Sequence, residues 1–182
     1  MNNLALAPQF SPSVEPLGDP YLSFKLNEEI AAVFSMDQVH EVLVISPEQV
    51  TPMPNMPAGV LGLLTRRSRV MWLVDLPHLL LSQPLATGNP SSFYRYKVVI
   101  VQVEQLWPTQ SPAEAPGRIL LGLVVHALKG SIRLMAGSIE TPQSHFLPSL
   151  APYIRGSTLQ ADQMLLVLDA DAIARSPLLH VH

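Results

Sequence analysis

Asp75 and Asp169 each close an apolar run and open a short helical one, and two acids in equivalent places are the usual equipment of general acid–base chemistry. Their context offers a simpler role. An aspartate just before a helix accepts hydrogen bonds from the first free amides, and that capping role explains both positions without catalysis. The six histidines point the same way. His40, His78, His126 and His145 are scattered singly, without the H-x-H or H-E-x-x-H spacing that brings ligands together, and the H-x-H of His180 and His182 lies in a short tail. The sequence has no G-x-S-x-G, no G-x-G-x-x-G and no Walker-type loop. The chain reads as non-enzymatic, with no metal and no cofactor.

Bulk properties narrow the partners. The 182 residues suffice for one domain with a real core, and with no cysteines that core must form without disulfides or thiolate metal sites. A net charge of −3 gives no long-range pull on phosphate backbones, and the one basic cluster is Arg66, Arg67 and Arg69, so nucleic acid is not an expected partner. The most apolar window, Val70 to Leu81, is interrupted by Asp75, Pro77 and His78 and is far shorter than the roughly 20 residues of a spanning helix. Neither membrane insertion nor a signal peptide is read here, and a cytoplasmic setting is expected. Only 14% of residues are charged against 48% apolar, which favours docking surfaces.

The elements that must position any site are mostly strands. Residues 1–20, with prolines at 8, 12, 16 and 20, predict a flexible arm, residues 21–176 the domain, and residues 177–182 a tail. Tyr21–Leu26 and Ile30–Phe34 predict a hairpin, Val39–Ile45 a strand, Ser46-Pro47-Glu48 a turn, and Val50–Asn55 an edge strand confined by its prolines. Ala58–Leu64 and Arg69–Val74 flank a basic turn, and Asp75 caps a helix at Leu76–Leu81. Ser82–Arg95 and the Pro-rich Trp107–Gly117 predict loops on either side of the strand Lys97–Val103. Arg118–Val125 pairs back, Lys129-Gly130 turns, Ser131–Leu134 continues, and His145–Tyr153 is a loop. The order from Gly156 to Ala174, strand, turn, strand, Asp169, helix, echoes Gly62 to Leu80.

The order Pro54-Asn55-x-Pro57, Gly62, Thr65-Arg66-Arg67-Ser68, Val74-Asp75-Leu76 resembles the CheW family, whose members read PNxP, glycine, NLRG and VDL. Thr65 stands at that family's Asn, Arg67 on its Arg, Ser68 at its Gly, and Trp72 replaces a common Pro. The resemblance runs from Tyr21 to Ser176. Tyr21-Leu22-Ser23-Phe24, Gln38 to Val42, Val98 to Val101, Gly122 to Val125 (followed by His126 where an Asp is common), Pro152 to Gly156 and Leu166 to Asp169 fall in family order. It implies a mainly β fold: two five-stranded β-barrel subdomains of CheW-like type sharing a core, with a few short helices.

It further implies an adaptor that couples the cytoplasmic tip of a chemoreceptor to the regulatory domain of a CheA-like histidine kinase, recruited to receptor clusters at the membrane. Arg67 at a hairpin tip offers planar, multidentate hydrogen bonding to a partner's carboxylates or carbonyls; its plainer alternative is a turn arginine paired with a local acid. By resemblance, Val39 and Glu41 face the receptor and Ser131 replaces an apolar receptor contact, with core as the plainer alternative for Val39; Gly62 allows a close approach of backbone, and Ser68, where the family has Gly, must either carry strain or change the turn type. Two rivals stand beside this reading. One is a regulator of twitching motility or phototaxis with the same binding logic; the other is a small-molecule-binding β-barrel, which requires a pocket between the barrels.

Overall fold

The computed structural model describes residues 18–85, 94–104, 117–141 and 148–179. The arm up to residue 17, the middle of the Ser82–Arg95 loop, the Pro-rich loop from Trp107 to Pro116, the start of the His145 loop, and His180 and His182 lie outside the described residues.

Strands β1 (Asp19–Lys25) and β2 (Ala31–Ser35) begin one sheet. The chain then builds a second one from β3 (Val39–Ile45), β4 (Val50–Thr51), β5 (Val60–Arg66), β6 (Arg69–Asp75), helix α1 (Leu76–Leu81), β7 (Tyr96–Glu104) and β8 (Arg118–Val125). It returns with β9 (Ala127–Leu134), β10 (Ile154–Gln160), β11 (Gln163–Leu168) and helix α2 (Ala170–Ala174). The first sheet has the order β10-β11-β2-β1-β9, the second β3-β7-β8-β6-β5-β4. The sixth strand of the second sheet is the two-residue β4, stopped at the edge by Pro52 and Pro54.

The second sheet cannot lie flat. Six strands about 4.8 Å apart would separate β3 from β4 by about 24 Å, whereas the four residues joining Ile45 to Val50 reach at most about 18 Å when extended. They are not extended: Pro47–Gln49 form a 3₁₀ turn. The sheet therefore curls until its edges approach. The first sheet curls the same way, because the chain leaving β9 makes a 3₁₀ turn at Ala136–Ser138 and then pairs Glu140 with Ser157 on the opposite edge strand, β10. The amide of Glu140 donates to Ser157 O at 2.8 Å and that of Ser157 to Glu140 O at 2.9 Å.

The two sheets share one plan. In each, a hairpin (β5–β6, β10–β11) leads through an aspartate into a short helix, and its second strand pairs in parallel with a strand from outside the hairpin (β6 with the later β8, β11 with the earlier β2). The repeat visible in the sequence is thus a repeat in space. Alternation explains the uninterrupted apolar runs of the central strands. Along β7, Val98 and Ile100 face a core enclosed by the second sheet, while Val99, Val101 and Val103 face a larger core between the sheets. On β2, Ala32 and Phe34 join that shared core, with Phe34 stacked on Phe24 at 5.1 Å, and Ala31 and Val33 face the first sheet's own core.

One element departs from the sequence reading. Lys129-Gly130 is not a turn: β9 runs on from Ala127 to Leu134, because Gly130 adopts φ +112° and takes up an extra residue as a bulge opposite Ser23 and Phe24. The chain instead changes sheets at His126, whose amide donates to Lys25 O at 3.0 Å. At the other end, Pro177–Leu179, set apart as the start of a tail, forms a 3₁₀ turn with Leu179 buried in the shared core.

Candidate functional site

The β5–β6 hairpin pairs Arg66 with Arg69, leaving Arg67 and Ser68 as a two-residue turn. Both have positive φ, +46° and +62°, the turn geometry whose twist matches paired strands. Ser68 thus keeps the left-handed backbone and carries its strain rather than changing the turn. The equivalent turn of the first sheet, Ala161 and Asp162, has nearly the same angles, +46° and +61°. Same backbone, different chemistry: only the second sheet's turn is basic.

Alternation then decides where the charges go. Arg66 lies two residues from buried Leu64, and Glu41 two from buried Leu43, so both side chains rise from inward-facing rows of the curled sheet. They meet at its mouth. Arg66 Nη2 donates to Glu41 Oε1 at 2.8 Å, and Arg67 Nη2 lies 3.6 Å from the same oxygen. The hydrogen bond from Arg66, reinforced by the charges of both arginines, outweighs desolvation and holds the Glu41 carboxyl below its usual range. The Arg67 side chain stays 75% exposed, whereas Arg66 Nε is buried and has no acceptor among the described residues. The mouth is a cavity of about 290 Å³ lined by this triad with His40, Arg69, Met71, Ile100 and Leu120.

The other residues singled out by sequence fall in different places. A register shift between Val39 and Glu41 breaks their alternation, so Val39 packs against the shared core while Glu41 joins the mouth. Gly62, at φ +139°, sits at a bulge in β5 where a Cβ would collide with the Thr51 carbonyl; its close approach is to this chain's own β4. Ser131 is exposed on β9, the edge strand of the first sheet, opposite Leu22. Structure therefore brings Glu41, Arg67 and Ser68 together and leaves Val39 and Ser131 apart from them. Arg66 was missed as a site residue, although its spacing from Leu64 already pointed it inward.

Both aspartates are caps. Asp75 accepts from the amides of His78 and Leu85, each at 2.9 Å, and burial nevertheless pushes its carboxyl above the ordinary aspartate range. Asp169 accepts from the amides of Asp171 and Ala172 and from Arg155 Nε at 2.9 Å. Burial raises the Asp169 carboxyl too, but these bonds outweigh it and the net shift is downward. No group of three or more potential metal ligands occurs among the described residues.

Two curled sheets around a shared core, with an ion-paired mouth and two short capped helices, define a mainly β domain of CheW-like build. A family model for the CheW-like domain matches residues 20–178, and the chain belongs to that family. In structure it is similar to the scaffolding protein TtCheW from Thermoanaerobacter tengcongensis, with a TM-score of 0.65 over 88% of this chain and 95% of that one at 19% identity. No curated protein matches it in sequence.

Proposed function

We propose that this protein is a non-enzymatic adaptor that joins the cytoplasmic tip of a chemoreceptor to the regulatory domain of a CheA-like histidine kinase. The observation that carries the proposal is the Glu41–Arg66–Arg67 mouth within a CheW-like domain: Arg66 satisfies Glu41 at 2.8 Å, and Arg67, 3.6 Å away and largely exposed, keeps donors for a partner. Val39, Gly62 and Ser68 act through shape, by fixing β3, β4 and the turn, and Ser131 offers a separate contact on the first sheet. The mechanism is geometric. Holding receptor and kinase together raises their effective concentration, and a receptor change then biases the kinase between states.

No helix among the described residues is long and apolar enough to cross a membrane, so attachment to receptor clusters runs through protein contacts in this reading. Binding of the full chain to the kinase regulatory domain, compared with Arg67→Glu, tests it. Saturable binding lost in the folded variant supports the adaptor; equal binding removes Arg67 from the interface.

A further inference from the structure

The parallel pairing of β6 with β8 covers only Trp72–Asp75 against Leu121–Val124. Before that point the two strands separate. Arg69-Val70-Met71 remain paired with β5, and Arg118-Ile119-Leu120 with β7, but neither segment has a strand partner on the side facing the other. Between them opens a slot of about 520 Å³, lined by those six residues and Trp72. Met71, Leu120 and Arg69 also line the neighbouring mouth, so the slot and the mouth adjoin.

The slot has backbone edges, apolar walls and positive ends. Val70 is 64% exposed and lies beside partly buried Trp72 and Ile119 on the slot wall. Arg69 and Arg118 form no ion pair among the described residues, and Glu104, the cross-strand neighbour of Arg118, is engaged by Arg175 at 2.9 Å. In a chain of net charge −3, the linings of the mouth and the slot together gather Arg66, Arg67, Arg69, Arg118 and His40 with Glu41 as their one carboxylate, and the nearby Glu104 is held by Arg175.

We infer that the slot between β6 and β8 binds a partner protein's extended segment in which acidic and apolar side chains alternate. The segment adds as a strand: its backbone pairs with the free edges, its apolar face covers Val70, Trp72 and Ile119, and its carboxylates meet Arg69 and Arg118. Arg67 takes no part, so this surface stands or falls separately from the receptor and kinase reading.

The test uses the full chain, isotope-labelled for NMR, with the capped hexapeptide Glu-Val-Glu-Val-Glu-Val. Saturable shifts and slowed hydrogen exchange at Arg69–Met71 and Arg118–Leu120, weakening as salt rises, are expected. Arg69→Gln with Arg118→Gln should reduce affinity by about tenfold while leaving amide signals elsewhere unchanged. The Lys-Val counterpart should not bind, and a peptide N-methylated at alternate amides should lose binding. No binding, shifts away from the slot, equal binding of the lysine or N-methylated peptide, or tighter binding of a helical acidic peptide would each overturn the inference.

Discussion

Glu41 and Arg66 stand on strands four places apart in the order of one sheet, yet their side chains are hydrogen-bonded at 2.8 Å. The ion pair spans the mouth that the short β3–β4 link forces to close, so it ties the curl of the sheet to the position of the basic turn. Because its carboxyl is held below the usual range, Glu41 contributes stability that is present above its unfolded pKa of about 4.3 and is lost as pH falls through the lower folded value. Glu41→Gln should lower the melting temperature at neutral pH and make its decline in acid shallower than in the parent. Melting curves across the acid range check this; parallel curves would show that the pair does not brace the mouth.

The two caps should answer differently to substitution. Asp169→Ala removes acceptors for two amides at the start of α2 and should cost about 1 kcal/mol. Asp75→Asn keeps the shape but sets an amide N–H against the N–H of His78 or Leu85, at a cost of about 1–3 kcal/mol. Their pH signatures are opposite. The raised folded pKa of Asp75 means that its contribution falls as pH rises from the unfolded value through the folded one, whereas the lowered value of Asp169 means a loss as pH falls. Denaturant titrations of both variants at several pH values distinguish them.

Gly62 and Gly156 hold equivalent places at the bulges of the two hairpins, each where an edge segment crosses closely. A Cβ on Gly156 would lie 2.6 Å from both Glu140 O and Ile139 Cγ2, and one on Gly62 would strike the Thr51 carbonyl at an unfavourable φ of +139°. Gly62→Ala and Gly156→Ala should each cost about 1–3 kcal/mol. Chemical denaturation measures this, and a neutral result at either site would mean that the edge segment moves aside freely.

Ser68 supplies a finer test of the turn. At φ +62° its left-handed backbone costs about 1 kcal/mol, which glycine would relieve while losing a similar amount in unfolded-chain entropy. Ser68→Gly should therefore leave stability nearly unchanged, and Ser68→Val should lower it by about 1–2 kcal/mol. Equal stability of the two variants would contradict the turn geometry.

Much of this architecture was legible in the residues. Strand alternation, the Pro-limited β4, the Asp-capped helices and the repeated hairpin unit are local signals, each set by a few neighbouring residues. Bulges were not legible. Lys129-Gly130 reads equally well as a turn or as a bulge, and only the pairing of Leu128 and Gly130 with successive residues of β1 decides. The shift between Val39 and Glu41 is of the same kind: an assumed period of two puts them on one face, and one extra residue at the bulge sends Val39 to the shared core. The pairing of Glu41 with Arg66 depends on the curl of a whole sheet, which no short window of sequence contains.

The central claim is that this chain couples by binding, with Arg67 at the contact. Its most direct test is calorimetric titration of the protein into the regulatory domain of the CheA-like kinase of the same organism, alongside Arg67→Glu. The account predicts saturable binding by the parent and marked weakening by a variant whose melting temperature is unchanged. Absence of binding by the parent at high concentration would contradict it, and the fold would then be shared without the coupling role.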